Sequence, residues 1–196
     1  MQPKPLTLTG DFVSLVPLSH AHADDLSAAI DAGNLHRMWY TMIPPPDAVT
    51  TEINRRLALQ DTGSMIAFAV LEPGGRAVGM TTYMNIDQAN RRLEIGSTWY
   101  CKSVQRTPLN TEAKRLMLSH AFDDLDCIAV EFRTHAINIQ SRRAIERLGA
   151  KQDGILRSHT IMANGTLRDT AVYSILAHEW PTVRANLDWQ MEKPRG

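Results

Sequence analysis

The sequence predicts a mixed α/β fold, and three observations carry that expectation. Between Leu93 and Gly154 the chain reads as strand, polar loop, helix, strand, helix. Two turn signals, Pro73-Gly74-Gly75 and Asn164-Gly165, each join two strand-like runs as hairpins do. The run CIAVEF is apolar on both faces, as expected of a central strand covered on both sides. The chain's 196 residues, 43% of them hydrophobic, fit a single domain over 1–196. No repeat, low-complexity tract or linker interrupts it, and Ile43-Pro44-Pro45-Pro46 reads as a stiff loop.

In chain order, FVSLVPL (12–18) has strand character and stops near Pro17. Ser19 can cap a helix to about Ala32 that buries Leu26, Ala29 and Ile30, with Gly33 as its C-cap. Asp47 or Thr50 starts a second helix through about Gln60. MIAFAVLE (65–72) and RAVGMTTYMNI (76–86) form the first hairpin. LEIGSTWY (93–100) is the next strand, with Leu93, Ile95 and Trp99 on one face and Glu94, Gly96, Thr98 and Tyr100 on the other. After the loop CKSVQRTPLN, the helix TEAKRLMLSHAFDDL buries Ala113, Leu116, Met117 and Ala121. Strand DCIAVEFRT, helix NIQSRRAIERLG, the second hairpin and a closing helix HEWPTVRANLDW, with Pro181 in its first turn, complete the chain.

The loop after Tyr100 lacks acidic residues and carries Lys102, Gln105, Arg106 and Thr107. It runs into a helix N-terminus, whose unpaired N–H groups and partial positive charge suit a phosphate. Overall charge gives no comparable signal. The 21 basic and 21 acidic residues cancel, which argues against broad binding to nucleic acid or anionic lipid. No apolar run approaches a membrane span, and MQPKPLTLTG does not read as a signal peptide. Cys101 and Cys127 make neither a disulfide framework nor a metal spacing, and read as thiols of a cytoplasmic protein. His20-x-His22 is too sparse for a metal site, so no metal is expected. No G-x-G-x-x-G follows a strand, which disfavours a dinucleotide fold.

Three ordered segments resemble the GNAT superfamily of acetyl-CoA-dependent N-acetyltransferases, in its RimJ/RimL-type branch. They are Gln105-Arg106-Thr107-Pro108-Leu109-Asn110 with Thr111-Glu112-Ala113-Lys114, then Asn138 to Ser141 ending in Leu148-Gly149-Ala150, then Arg168-Asp169 with Val172 to Leu176 and Glu179-Trp180. The resemblance covers roughly residues 8 to 188. It implies a central mixed sheet in which two adjacent strands part to admit acetyl-CoA. It also implies direct acetyl transfer to a primary amine, either a protein N-terminus or a small molecule. A catalytically silent acyl-CoA-binding module is the alternative, favoured by two departures from the family pattern. Pro108 and Asn110 stand where small glycines are usual, and Ile145 stands where a general-acid tyrosine is often found.

By the same resemblance, Trp99, Tyr100, Cys101, Gln105, Arg106, Thr107, Leu109, Asn110, Thr111, Asn138 and Arg143 are the cofactor-binding candidates. Backbone N–H groups near Trp99 to Cys101 would hold the oxyanion. Trp39 and Tyr40 would line the acceptor side. An amine acceptor is largely protonated at neutral pH, so a base is required. Glu94 is the first candidate, with Gly96 on its face leaving room for a water; Glu131 is the rival and His135 the third choice. Ser141 is the candidate to hydrogen-bond the leaving sulfur. Arg142 or Arg143 would reach the adenosine phosphates, and Arg168-Asp169 reads as structural. A homodimer is compatible with the sequence.

Overall fold

The computed structural model describes residues 3–192. Eight strands form one sheet: β1 (Leu8–Thr9), β2 (Ser14–Pro17), β3 (Met65–Leu71), β4 (Ala77–Asp87), β5 (Arg92–Tyr100), β6 (Ala129–His135), β7 (Lys151–Ile161) and β8 (Leu167–Leu176). Their order is β1-β2-β3-β4-β5-β6-β8-β7, antiparallel throughout except for the parallel pair β5–β6. Five α-helices accompany it: α1 (Ala23–Gly33), α2 (Val49–Asp61), α3 (Leu109–Ser119), α4 (Ile139–Arg147) and α5 (Trp180–Glu192). The hairpins turn at the expected glycines, because a tight turn needs the left-handed backbone that Gly74, Gly75 and Gly165 adopt.

Local chemistry moves some boundaries. The helix after Ser19 opens with a 3-10 turn, and its left-handed C-cap is Asn34 (φ 48°) rather than Gly33, which stays helical. Asparagine is the residue besides glycine that visits this region most readily. A 3-10 turn at Pro46–Ala48 precedes α2. Beyond Ser119, α3 widens into a π-helical stretch over His120–Asp124. The two-residue β1 escaped the sequence reading, being too short to show a period. The turn that follows it is fastened to α3: the buried Glu112 carboxylate accepts the Asp11 N–H (2.9 Å) and the Phe12 N–H (2.6 Å).

The helices lie on both faces of the sheet. The Tyr83 hydroxyl donates to the Met117 carbonyl of α3 at 2.7 Å, so odd-numbered residues around Tyr83 in β4 face α3. Met84, and Glu94 directly across from it, face the other way. That other side is covered by α1 over β4 and α2 over β3. Tyr173 of β8 bonds to Glu146 and Arg142 of α4, and its partner Phe132 alternates with Glu131, so α4 lies on the α3 side. Between these layers Leu26, Ile30, Ile53, Phe68, Tyr83 and Met117 are fully buried.

Two irregularities shape the centre of the sheet. Strands β5 and β6 pair only at Arg92–Glu94 with Ala129–Glu131; beyond that β5 runs to Tyr100 and β6 to His135 with no pairing between them. The β4–β5 register also shifts between Met80/Trp99 and Thr82/Gly96, which places an extra residue in β5. Ser97 there has φ 47°, a left-handed bulge. The buried Arg56 of α2 braces it, donating to the Ser97 carbonyl at 3.2 Å. The bulge inverts every side chain after it. Thr98 therefore faces α3, and Trp99, opposite Met80, shares the face of Glu94. Tyr100, opposite Gly79, is on the α3 side. The strict alternation expected from the sequence fails at these three residues.

Candidate active site

The parting of β5 and β6 leaves a gap with different groups on its two sides. Glu94 marks where it begins, in the last β5–β6 pair. The residue is 5% exposed. Asn85, at a left-handed φ of 48° in β4, donates to Oε2 at 2.7 Å, and Arg133 Nε lies 3.6 Å from the same oxygen. Burial pushes the Glu94 pKa up; the Asn85 bond and the Arg133 charge oppose this without cancelling it. The room beside Gly96 is taken by Glu94 itself: a Cβ there would stand 2.8 Å from Oε1 and 2.8 Å from Met84 Sδ.

The arginines that precede Glu94 in β5 and its approach do not pair with it. Arg91 pairs with Asp126, and Arg92 with Glu131 at 2.5 Å. The rival base Glu131 is held from both sides, since Arg133 also reaches it at 2.9 Å. Both of its oxygens are thus engaged by guanidiniums. Trp39 sits at the far end of the same face, edge-on to His135 at 5.7 Å and to Tyr40 at 5.9 Å.

The opposite side of the gap holds the groups suited to a phosphate-bearing arm. Pro108 is the N-cap of α3, and before it Thr107 Oγ1 donates to the Val104 carbonyl at 2.7 Å and accepts the Leu109 N–H at 3.4 Å. The first i to i−4 bond of α3 runs from Glu112 to Pro108, so among the described residues the N–H groups of Asn110 and Thr111 have no backbone partner. Asn110 Oδ1 is buried without a partner as well. Arg106, at φ 65°, takes the left-handed conformation that glycine fills most readily. In the first turn of α4, Asn138 Oδ1 accepts the Ser141 N–H at 3.1 Å. The Ser141 hydroxyl makes no hydrogen bond among the described residues.

Other candidates have structural duties. Gln105 Nε2 donates to the Tyr100 carbonyl at 3.0 Å and braces the loop. The Leu109 side chain is core. Cys101 is buried with its thiol 3.0 Å from Ser103 Oγ, and its N–H donates to the Val78 carbonyl at 2.7 Å. That amide is spent on the sheet and cannot hold an oxyanion. Alternation of the ladder then turns the Tyr100 N–H toward the gap. Arg142 is occupied by Tyr173, Ala136 and Gln152, leaving Arg143 as the arginine of that pair with a side chain available to phosphates. Ile145 is buried and packs in the core.

Sequence reasoning missed Asn85 and Arg133. An asparagine near a strand end is a signal for a left-handed residue, but its aim at Glu94 depends on the β4–β5 register. It also missed Lys114, whose ammonium is buried on the α3 side against Thr81 (3.0 Å) and Thr98 (2.8 Å) with no carboxylate partner among the described residues. Burial pulls its pKa down to about 7.

Comparison with known proteins agrees with this architecture. Residues 13–151 match the family model described as an acetyltransferase (GNAT) domain. A Bacillus subtilis protein, YdaF, named as a candidate ribosomal N-acetyltransferase, is 34% identical over 106 residues. That alignment covers 54% of this chain and 57% of the relative, so the chain spans little more than half the length of the curated relative it matches. A GCN5-related N-acetyltransferase structure from Brucella melitensis is 32% identical, covering 96% of this chain and 87% of that one, with a TM-score of 0.86. Mycobacterium smegmatis RimJ, solved with CoA-disulfide, shares the fold at 24% identity and a TM-score of 0.77, covering 95% and 93% of the two chains. The chain belongs to the GNAT acetyltransferase family.

Proposed function

We propose that this GNAT-family chain transfers the acetyl group of acetyl-CoA to a primary amine, with Glu94 as the general base. The observation that carries the reading is the Glu94 carboxyl, buried where β5 and β6 part and held by Asn85. A base pKa raised toward neutrality is matched to accepting a proton from an ammonium or through a water. The donor fits the opposite side of the gap. Free amides of Asn110 and Thr111, with Arg106 and Arg143, suit the phosphates. The Trp99–Tyr100 backbone and the Asn138 turn suit the pantetheine arm. Acetyl-CoA, when bound, supplies an activated acyl thioester. In this proposal Ser141 offers its unengaged hydroxyl to the sulfur, and the Tyr100 N–H faces the acyl oxygen. The acceptor approaches from the Trp39–Tyr40 side, and the proposed compartment is the cytoplasm. The family membership and the CoA-type ligand of RimJ support the choice of donor.

The test is CoA release over a panel of amines, joined to acetyl-CoA titration by calorimetry. Glu94→Gln should keep the cofactor Kd and lower kcat/KM by ~10²-fold or more. Because burial raises the Glu94 pKa, wild-type activity should fall as pH drops through a value higher than that of an ordinary glutamate. The mutant's deficit should shrink at high pH, where the amine deprotonates unaided. Acetyl-CoA binding without CoA release from any amine would establish the silent binding module instead. Full activity of Glu94→Gln alongside an inactive Glu131→Gln would move the base to Glu131.

A further inference from the structure

The mouth of the gap on the Glu94 face holds two polar side chains that the reaction above does not use. His135 ends β6, beyond the last β5–β6 pair and on the face of Glu131 and Arg133. It is 5% exposed. Its Nδ1 accepts the Ile137 N–H at 3.4 Å, which assigns the ring proton to Nε2. That Nε2 is buried with no partner among the described residues, an arrangement that is costly unless something else fills it. Trp39, itself 49% exposed, lies edge-on over the ring.

Across the sheet from His135 stands Thr170 of β8. The Thr170 hydroxyl accepts the Arg168 Nε–H at 3.0 Å, and His159 Nδ1 lies 3.1 Å from the same oxygen. Arg168 is partly buried and makes no ion pair among the described residues. Its charge reaches both His135 and Glu94. The other acids nearby are engaged: Glu131 by Arg92 and Arg133, and Asp169 by the Ser158 N–H at 2.7 Å. The face thus presents an unpaired guanidinium and an unpaired N–H donor side by side.

We propose that Arg168 and His135 bind a carboxylate carried by the acceptor amine. The proposal rests on the acetyl-transfer reading and names the class of its acceptor. A guanidinium fork and a neutral imidazole N–H match the two oxygens of a monoanion. A phosphate dianion would bring a second negative charge toward Glu94. The two ends of the acceptor are then read separately, the amine at Glu94 and the carboxylate at Arg168. The carboxylate can be that of a free amino acid or an acidic side chain at a peptide N-terminus.

The experiment compares carboxylate acceptors with their amides: glycine with glycinamide, and peptides starting in Asp with those starting in Asn. In the wild type the carboxylate form should have a kcat/KM about tenfold to a hundredfold above its amide. Arg168→Met should bring the two within about threefold, mainly through KM, and Arg168→Lys should restore part of the preference. Whichever pair shows the preference identifies the source of the carboxylate. Independently of turnover, N-acetylglycine should shift the His135 imidazole resonances in wild-type protein but not in Arg168→Met, and N-acetylglycinamide should shift neither. Amine turnover with equal use of carboxylate and amide overturns the site and leaves acetyl transfer standing. The imidazole shift without CoA release from any amine overturns acetyl transfer and leaves the site standing. A preference that survives in Arg168→Met refutes the assignment.

Discussion

Replacing Lys114 with methionine should stabilise the protein, and by more at low pH than at high. The Nζ lies buried between α3 and the sheet, 3.0 Å from Thr81 Oγ1 and 2.8 Å from Thr98 Oγ1, with no carboxylate partner among the described residues. Its pKa falls from the ordinary 10.5 to about 7. The folded-state value is the lower one, so between about pH 7 and 10.5 the unfolded chain binds more protons than the native one. Stability from this residue therefore rises with pH across that window, and below it the penalty for burying the charge is fully present. At ~1.4 kcal/mol per unit, a shift of that size corresponds to a penalty on the order of 5 kcal/mol at pH 6, as an upper bound. Methionine fills a similar volume and leaves Thr81 and Thr98 bonded to each other, as they already are at 2.7 Å. Allowing for the lost lysine hydrogen bonds, a net gain of roughly 2–4 kcal/mol is expected at pH 6 and about 1 or less at pH 9.5. Urea unfolding of wild type and Lys114→Met at both pH values reads the difference directly, with other titrating groups cancelling between the two proteins. An equal loss of stability at both pH values would refute the reasoning. It would mean that the hydrogen bonds to the two threonines outweigh the burial of the charge.

Gly96→Ala should cost activity out of proportion to stability. The new Cβ would meet Glu94 Oε1 and Met84 Sδ, each at 2.8 Å, so the carboxyl must leave its place beside Asn85; steady-state kinetics with thermal melts would show a large kcat loss and a small Tm change. Ser141→Ala should lower kcat and kcat/KM together by roughly tenfold to a hundredfold, with the acetyl-CoA Kd unchanged, as for a bond to charge developing on sulfur; unchanged kcat would reduce Ser141 to a spacer. Asn138→Ala, by contrast, should cost about 1 kcal/mol of stability by removing the bond to the Ser141 N–H, read by urea unfolding.

What the sequence made legible was whatever short-range chemistry decides. The hairpin glycines, Pro108 after Thr107, Pro181 in α5 and the apolar spacing of α3 each act within a few residues, and the elements stand where they place them. The resemblance led to Glu94, Asn138 and the α3 N-terminus, and of these Glu94 stands where β5 and β6 stop pairing. The illegible parts depend on strand register. Nothing around Ser97 announces a left-handed residue, yet that bulge decides the faces of Thr98, Trp99 and Tyr100. Arg142 and Arg143 look alike in sequence, and only the packing of α4 on β8 shows that Arg142 is committed to Tyr173. The space next to Gly96 was visible as a missing side chain; that Glu94 occupies it was not.

The same bulge serves two buried charged side chains on opposite faces of the sheet. Glu94 lies on the α1–α2 side and Lys114 on the α3 side, and both are costly to bury without a full partner. With regular alternation, Thr98 would stand on the Glu94 face and Lys114 would lose its shorter hydrogen bond. The extra residue at Ser97 sends Thr98 to Lys114 instead, while Gly96, just before it, keeps the space that Glu94 needs. Arg56 holds this turn from α2, with its own guanidinium fixed by Glu52 at 2.7 Å. The irregular backbone of β5 therefore meets two demands at once. It supplies partners to a lysine on one face and room for a carboxyl on the other, in the strand whose far end has left β6 to open the gap.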